Sequence, residues 1–419
     1  MSTTEVGEQA SEPVARADLP EQRPEAPGTN PEKTGPDTGG VRSHTRWRGV
    51  LWLLAPGVAY LAVREIGLLV LDWLASANHT SVTTALTSWD GQWYLGIAAG
   101  GYSHVPGAMT DAFGHRTADT PLAFFPGYPV LVRLVGELPG VGLVAAAFTV
   151  TLVCGVVCAY GLARLGRQVS GSPTVGVILV VLFAASPMAV SLSMAYSEAM
   201  FCALAVWSLV GVLDRNWLLA GLAAAGTGLV RPTAAALVVT VMAAAIVAIV
   251  RRRDGFWPWL GLVTAPAGLL GYLGFVAHRT GHLTGWFQLQ QQGWDSTFDG
   301  GVASVRFAIQ VLTTGRSVLE VVTVAVLLAA IALVVISIRQ RLAWPLVLYG
   351  ALVLAMDVGA NGLMNSKARL LLPAFTLLIP IAVGLAKRRP GTVIAVLAGV
   401  TVASAWFGAY AITAWPYAI

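Results

Sequence analysis

Along most of this chain, long apolar runs alternate with short polar breaks. The runs fall at residues 49–71, 141–163, 172–195, 199–213, 217–230, 233–250, 256–277, 317–338, 343–358, 370–386 and 391–413. Most approach the ~20 apolar residues that a helix needs to cross a bilayer. The pattern predicts an all-α polytopic membrane protein with about 11 spans. The runs on either side of Arg231-Pro232 are short and read as thin or tilted helices meeting at a turn. Two breaks are long, residues 72–139 and 278–316. The first contains Phe124-Phe125-Pro126-Gly127-Tyr128-Pro129, and two prolines this close do not suit the interior of a spanning helix. A surface-lying amphipathic segment is expected there.

Charge orients the pattern. Arg42, Arg46, Arg48, Arg164, Arg167, Arg215, Arg251, Arg252, Arg253, Arg339, Arg341, Lys387, Arg388 and Arg389 all fall in alternate, short breaks. The intervening breaks are longer yet poorer in Lys and Arg. By the positive-inside rule this places the N-terminus in the cytoplasm, and the segments 72–139, 278–316 and the C-terminus outside. The expected location is the plasma membrane. Arg64 and Glu65 interrupt the first run; they read either as a local polar pair facing protein or as a contact to a substrate phosphate.

Composition agrees with the pattern. Of 419 residues, 56% are hydrophobic and 11% charged, against the ~25% charged of a typical soluble domain. The net charge of +5 comes from arginines in short loops, which is membrane orientation and gives no nucleic-acid reading. Cys154, Cys158 and Cys202 lie within apolar runs and read as small buried hydrophobes. Residues 1–45 contain no apolar signal-peptide core and read as a disordered cytoplasmic tail, leaving 46–419 as one membrane domain.

Few residues are placed to do chemistry. Asp90 sits between Trp89 and Trp93 just outside the first run, where a carboxylate can act as a general base toward a sugar-attacking hydroxyl. Ser88 or Asp90 as a helix cap is the structural alternative. Trp89, Trp93 and Tyr94 are suited to stacking on sugar faces. Arg231, Lys367 and Arg369 lie at predicted outer ends of runs, and clustered cations there suit a phosphate; plain snorkelling is the alternative. Glu198 opens a run, as a helix N-terminal carboxylate or a substrate contact. His278 and His282 have metal-pair spacing, but Gly281 argues against a helix and a third ligand is lacking, so no metal site is assigned.

Several of these stretches occur together in one family. Trp89-Asp90 with Trp93-Tyr94, Ile97-Ala98 and Gly101-Tyr102, followed by the Phe-Phe-Pro-Gly-Tyr-Pro block, resembles the GPI mannosyltransferase II (PIG-V-like) family. Tyr196-Ser197-Glu198 through Phe201, Gly228 through Thr233, and Ser366-Lys367-Ala368-Arg369 through Pro373 are similar to its later segments, in the same order. The resemblance implies a GT-C-type glycosyltransferase using polyprenyl-phosphate mannose as donor, with no cofactor required. It implies Asp90 as the catalytic acidic residue, and Arg231, Lys367 and Arg369 as lipid-phosphate ligands. The sequence departs from the eukaryotic family where Gln92-Trp93 replaces a histidine-bearing stretch, and the loop between Tyr102 and Pro121 is longer. The Ala/Gly/Val/Arg-rich composition reads as bacterial. The acceptor expected is therefore a cell-envelope glycan, glycolipid or glycoprotein outside the membrane. Two other classes fit a polytopic chain: a lipid or small-molecule transporter or flippase, and a non-catalytic envelope-assembly protein. Most ionisable residues lie at run ends, which favours an enzyme facing the surface over a path through the membrane.

Overall fold

A computed structural model describes residues 39–415 except 316 and 363, with side chains from Leu51 onward. The tail assigned to residues 1–45 lies outside the described residues as far as 38, and helix α1 begins at Gly39. Among the described residues all regular structure is helical, with a single isolated bridge between Phe298 and Ala360.

The helices run α1 (Gly39–Ala77), α2 (Val82–Leu86), α3 (Asp90–Gly100), α4 (Gly127–Gly136), α5 (Leu143–Ser170), α6 (Pro173–Ala184), α7 (Glu198–Leu213), α8 (Trp217–Gly228) and α9 (Ala234–Val250). They continue as α10 (Trp257–Thr264), α11 (Ala267–Thr280), α12 (Gly285–Trp294), α13 (Val302–Thr314), α14 (Val318–Arg339), α15 (Trp344–Gly359), α16 (Lys367–Leu370), α17 (Ile379–Leu385) and α18 (Pro390–Thr413). Among the described residues, five stretches are long and apolar enough to cross a membrane: Leu51–Ala77, Leu143–Ser170, Trp257–Thr280, Val318–Arg339 and Pro390–Thr413. A sixth candidate, Met364–Leu370 with Leu372–Leu385, is bent by 55°. The other apolar helices among the described residues have 10–17 residues. Length alone therefore supports fewer crossings than the eleven apolar runs suggest.

Two runs expected as simple spans are broken, for visible reasons. The run 172–195 is helical only to Ala184. Ser186-Pro187 follows, and Met188 takes φ 60°, a left-handed conformation that no helix continues through. The chain then makes a 3-10 turn at Ala189–Leu192 and reaches Tyr196-Ser197 in irregular backbone. The break orphans carbonyls, and Arg64 accounts for two of them by donating to Ala184 and Ala189. Arg64 thus faces protein, but Glu65 is exposed, so the two do not form the local polar pair expected from the sequence. The run 370–386 is split by Pro373 and Pro380 into α16, a 3-10 stretch Leu372–Leu378 and α17. His278 and His282 do not share a helix, because Gly281 closes α11 at φ 74°.

The core is a bundle of α5 to α9 with α14, α15 and α17, rich in Ala, Val and Leu. Small residues let its backbones approach closely. A Cβ on Gly268 of α11 would stand 1.8 Å from the Ala225 carbonyl of α8, so that crossing needs glycine. The long segment 72–139 holds α2, α3 and α4. Helix α4 buries Tyr128, Pro129 and Val132 and exposes Val130, Leu134 and, just past its end, Leu138, as a surface-lying amphipathic helix should.

Candidate active site

Five segments far apart in sequence meet at one end of this bundle. Asp90 opens α3, where the helix N-terminus favours a carboxylate. Its neighbour Trp89 is held at φ 51°, ψ −117°, a strained conformation for a residue with a side chain. Trp89 packs against an apolar cluster that includes Leu86 and Met194 and does not line the cavity described below.

The Phe-Phe-Pro block forms the second wall. Its backbone carbonyls are satisfied by side chains from α11, α12 and the loop after α3. Tyr272 donates to Leu122 at 2.8 Å or Phe124 at 2.7 Å, Tyr102 reaches Phe124 at 2.7 Å, and Gln290 donates to Ala123 at 3.1 Å. This wall is fastened to the Arg231 turn through Gly127, whose N–H donates to Leu229 at 2.7 Å. A Cβ at Gly127 would lie 2.8 Å from that same carbonyl oxygen. Gly127→Ala is thus expected to push the two turns apart, at a cost of about 1–3 kcal/mol, read as a lower unfolding midpoint in detergent.

The charged residues come from the remaining segments. Glu198 is the first residue of α7. Arg231 stands in the turn that Pro232 enforces between α8 and α9, and Lys367 and Arg369 lie on the four-residue α16. Arg369 Nη1 donates to Asp90 Oδ2 at 2.7 Å across 279 residues of sequence. The same nitrogen lies 3.6 Å from Glu198 Oε1, which also pairs with Arg231. The guanidinium of Arg369 sits 5.1 Å over the ring of Tyr196. Lys367 is buried and donates to the carbonyls of Asp357 and Ala360, the latter at 2.8 Å. The 295–301 loop braces this region: Phe298 bridges Ala360, and Asp299 accepts from the amides of Gly301 and Ala303. Those amide contacts, that of Ala303 foremost, hold the Asp299 carboxyl below the usual carboxylate range.

These groups surround a cavity of about 220 Å³ lined by Asp90, Tyr94, Arg231, Lys367 and Arg369, with Phe124, Trp286, Gln290, Trp294 and Ser296 closing it. A second, more apolar groove of about 410 Å³ adjoins it, sharing Phe125, Arg231, Trp286 and Leu370. Leu269, Leu273, Phe287, Val353 and Met356 line the groove's far part.

Of the eight residues singled out from sequence, five therefore share the cavity: Asp90, Tyr94, Arg231, Lys367 and Arg369. Three do not line it. Trp93 is buried, stacked on Phe124 at 5.2 Å and covered by Arg116 at 5.3 Å, so its faces are already occupied. Trp89 is turned into its cluster. Glu198 is 0% exposed and reaches the cavity only through its two arginines. Sequence reasoning missed Trp286, Gln290, Trp294 and Ser296. Their density in the polar segment 278–316 was the available signal.

The arrangement is a carboxylate opposite a cation cluster, in a pocket continuous with an apolar groove at one end of a helical bundle. Comparison with known proteins shows the fold. The sequence profile of the dolichyl-phosphate-mannose-protein mannosyltransferases matches residues 119–271. None of the curated protein sequences matches the chain. Among solved structures, ArnT from Cupriavidus metallidurans bound to undecaprenyl phosphate is similar at a TM-score of 0.52 and 15% identity, over 82% of this chain and 63% of that one. ArnT in the apo state gives 0.52 and 13%, over 88% and 75%. The chain thus spans less than two thirds of the undecaprenyl-phosphate-bound ArnT chain. This is a multi-pass membrane protein with the fold of the GT-C glycosyltransferases.

Proposed function

We propose that this chain is a polyprenyl-phosphate-sugar-dependent glycosyltransferase. In this reading it moves mannose from polyprenyl-phosphate mannose to a glycan, glycolipid or glycoprotein of the cell envelope, with inversion. The observation that carries the reading is the chain of contacts Asp90–Arg369–Glu198–Arg231 at the mouth of an apolar groove. A phosphate beside the arginines and a polyprenyl tail in the groove would use both halves of that site. The mannosyltransferase profile over residues 119–271 and the undecaprenyl phosphate held by the structurally similar ArnT support it. The order of the motifs around Asp90, Phe124, Glu198, Arg231 and Lys367 supports a PIG-V-like relationship within the GT-C class.

The mechanism is a single displacement. Asp90 takes the proton of the acceptor hydroxyl as its oxygen attacks the anomeric carbon. The bond from that carbon to the phosphate oxygen breaks on the opposite face, and polyprenyl phosphate departs. Arg231, Arg369 and Lys367 stabilise the charge that develops on it. Phosphate is a good leaving group, and this mechanism calls on no metal or cofactor. A donor phosphate competes with Asp90 for Arg369, so donor binding frees the carboxylate for the acceptor. Tyr94 and Trp294, which line the cavity together with Phe124, Phe125 and Trp286, would meet the sugar in this reading. In this account the N-terminus is cytoplasmic and the site faces outward across the plasma membrane.

The test compares the envelope glycans and glycolipids of cells with and without the gene product. Loss of a mannosylated species supports the reading. An unchanged glycan profile combined with lost solute or lipid uptake would replace it with a transporter.

A further inference from the structure

We propose that Glu198 is a positioning residue that yokes Arg231 and Arg369 into one two-pronged clamp for the donor phosphate, without itself touching the donor. The inference rests on the glycosyltransferase reading above and assigns Glu198 a different role from direct substrate contact.

Burial separates Glu198 from the cavity. It is 0% exposed and absent from the cavity lining, whereas Asp90, Arg231, Lys367 and Arg369 all line it. One carboxylate oxygen, Oε1, serves both arginines, in contact with Arg231 Nη1 and 3.6 Å from Arg369 Nη1. The two guanidiniums are therefore registered against a single atom.

The elements explain why such a registering atom is needed. Arg231 comes from an irregular turn and Arg369 from a helix of four residues. Neither element fixes a long side chain by itself. Glu198 stands on the first turn of the sixteen-residue α7, packed in the bundle core. Its neighbour Ser197 is tied to Tyr94, hydroxyl to hydroxyl, at 2.9 Å. The carboxylate is thus the rigid member, and the two cations are the members it places. Electrostatics points the same way. Two guanidiniums 11% and 8% exposed repel one another where solvent screens little, and a carboxylate between them reverses that repulsion.

Three cations, Arg231, Lys367 and Arg369, and one carboxylate, Asp90, line the cavity itself. Removing the charge of Glu198 releases Arg231 and Arg369 from their common anchor.

The two arginines do not depend on Glu198 equally. Arg369 is also held by Asp90 at 2.7 Å and by the Tyr196 ring at 5.1 Å. For Arg231, Glu198 is the ion-pair partner in the structure. Loss of the carboxylate should therefore act mainly through Arg231.

The experiment uses the full chain in nanodiscs, with undecaprenyl phosphate as probe, and the variants Glu198→Gln, Arg231→Gln and the double variant. Glu198→Gln keeps the side chain's shape and is preferred to alanine, which risks unfolding. The expected result is about tenfold weaker undecaprenyl phosphate binding for Glu198→Gln, a matching rise in the KM for donor, and an unchanged KM for acceptor. The double variant should bind no more weakly than Arg231→Gln alone, because the second loss is already contained in the first. Wild-type affinity per folded Glu198→Gln molecule, whatever its unfolding midpoint, would overturn the proposal. So would single-variant effects that multiply in the double. If wild-type protein binds undecaprenyl phosphate no better than undecaprenol, the glycosyltransferase reading fails instead.

Discussion

Asp90→Asn is expected to lower sugar transfer by roughly 10²–10⁴-fold, the range that loss of a general base produces, while the protein inserts and folds as wild type. The substitution is nearly isosteric, and its remaining oxygen still accepts from Arg369, which donates to Asp90 at 2.7 Å in the native site. What it loses is the ability to take a proton. Asp90 keeps 29% of its side chain exposed toward the cavity, so the change of charge is not a buried-core lesion. Transfer from labelled polyprenyl-phosphate mannose in isolated membranes reads the effect, and the unfolding midpoint controls for folding. Near-normal transfer by Asp90→Asn would remove Asp90 from the role of base.

Arg369→Gln has the second-largest expected effect, and it falls on stability and binding together. Arg369 is the shared partner of Asp90 and Glu198, and it is 8% exposed. Breaking a buried ion pair from one side costs about 3–5 kcal/mol. Glu198 retains Arg231 and Asp90 is partly solvated, so the loss here should lie at or below about 3 kcal/mol by the same principle. Undecaprenyl phosphate binding should weaken by about tenfold or more, the scale of one lost charge-assisted contact. Arg369→Lys keeps the charge but not the planar guanidinium that lies over the Tyr196 ring, and should fall between wild type and the glutamine variant. Thermal unfolding in detergent and lipid-phosphate binding measure these outcomes. A glutamine variant as stable and as tight-binding as wild type would deny Arg369 its bridging role.

Much of this site can be read from the sequence because ionisable residues are so scarce. Asp90, Arg231, Lys367 and Arg369 sit at run ends in a chain only 11% charged, and each needed a reason to be there. Their convergence follows from the bundle placing those ends together. Residues whose part depends on local packing were not legible in the same way. Trp93 has the composition of a sugar platform, yet its ring is taken up by Phe124 and Arg116. Glu198 has the composition of a ligand contact, yet the fold seals it behind two arginines. Gln290 and Trp286 serve the Ala123 carbonyl, a partner 167 and 163 residues away that no local pattern reveals.

The helices show the same division. Runs at 141–163, 317–338 and 391–413 became long helices with shifted ends, because nothing in them opposes helix. The run at 172–195 satisfied hydropathy but not backbone geometry. Pro187 and the left-handed Met188 stopped the helix, and Arg64 from α1 met the carbonyls thus exposed. Hydropathy counts apolar residues and is blind to such breaks. The same breaks deliver Tyr196, Ser197 and α16 to the site.

The most direct test of the central claim is stoichiometry with purified protein. Reconstituted wild-type protein is supplied with doubly labelled polyprenyl-phosphate mannose and an envelope extract, and both products are followed by mass spectrometry. The account predicts one polyprenyl phosphate released for each mannose joined to acceptor, with the anomeric configuration inverted. Movement of the intact donor across the bilayer without cleavage, or mannose incorporated from a nucleotide sugar without polyprenyl phosphate, would contradict it.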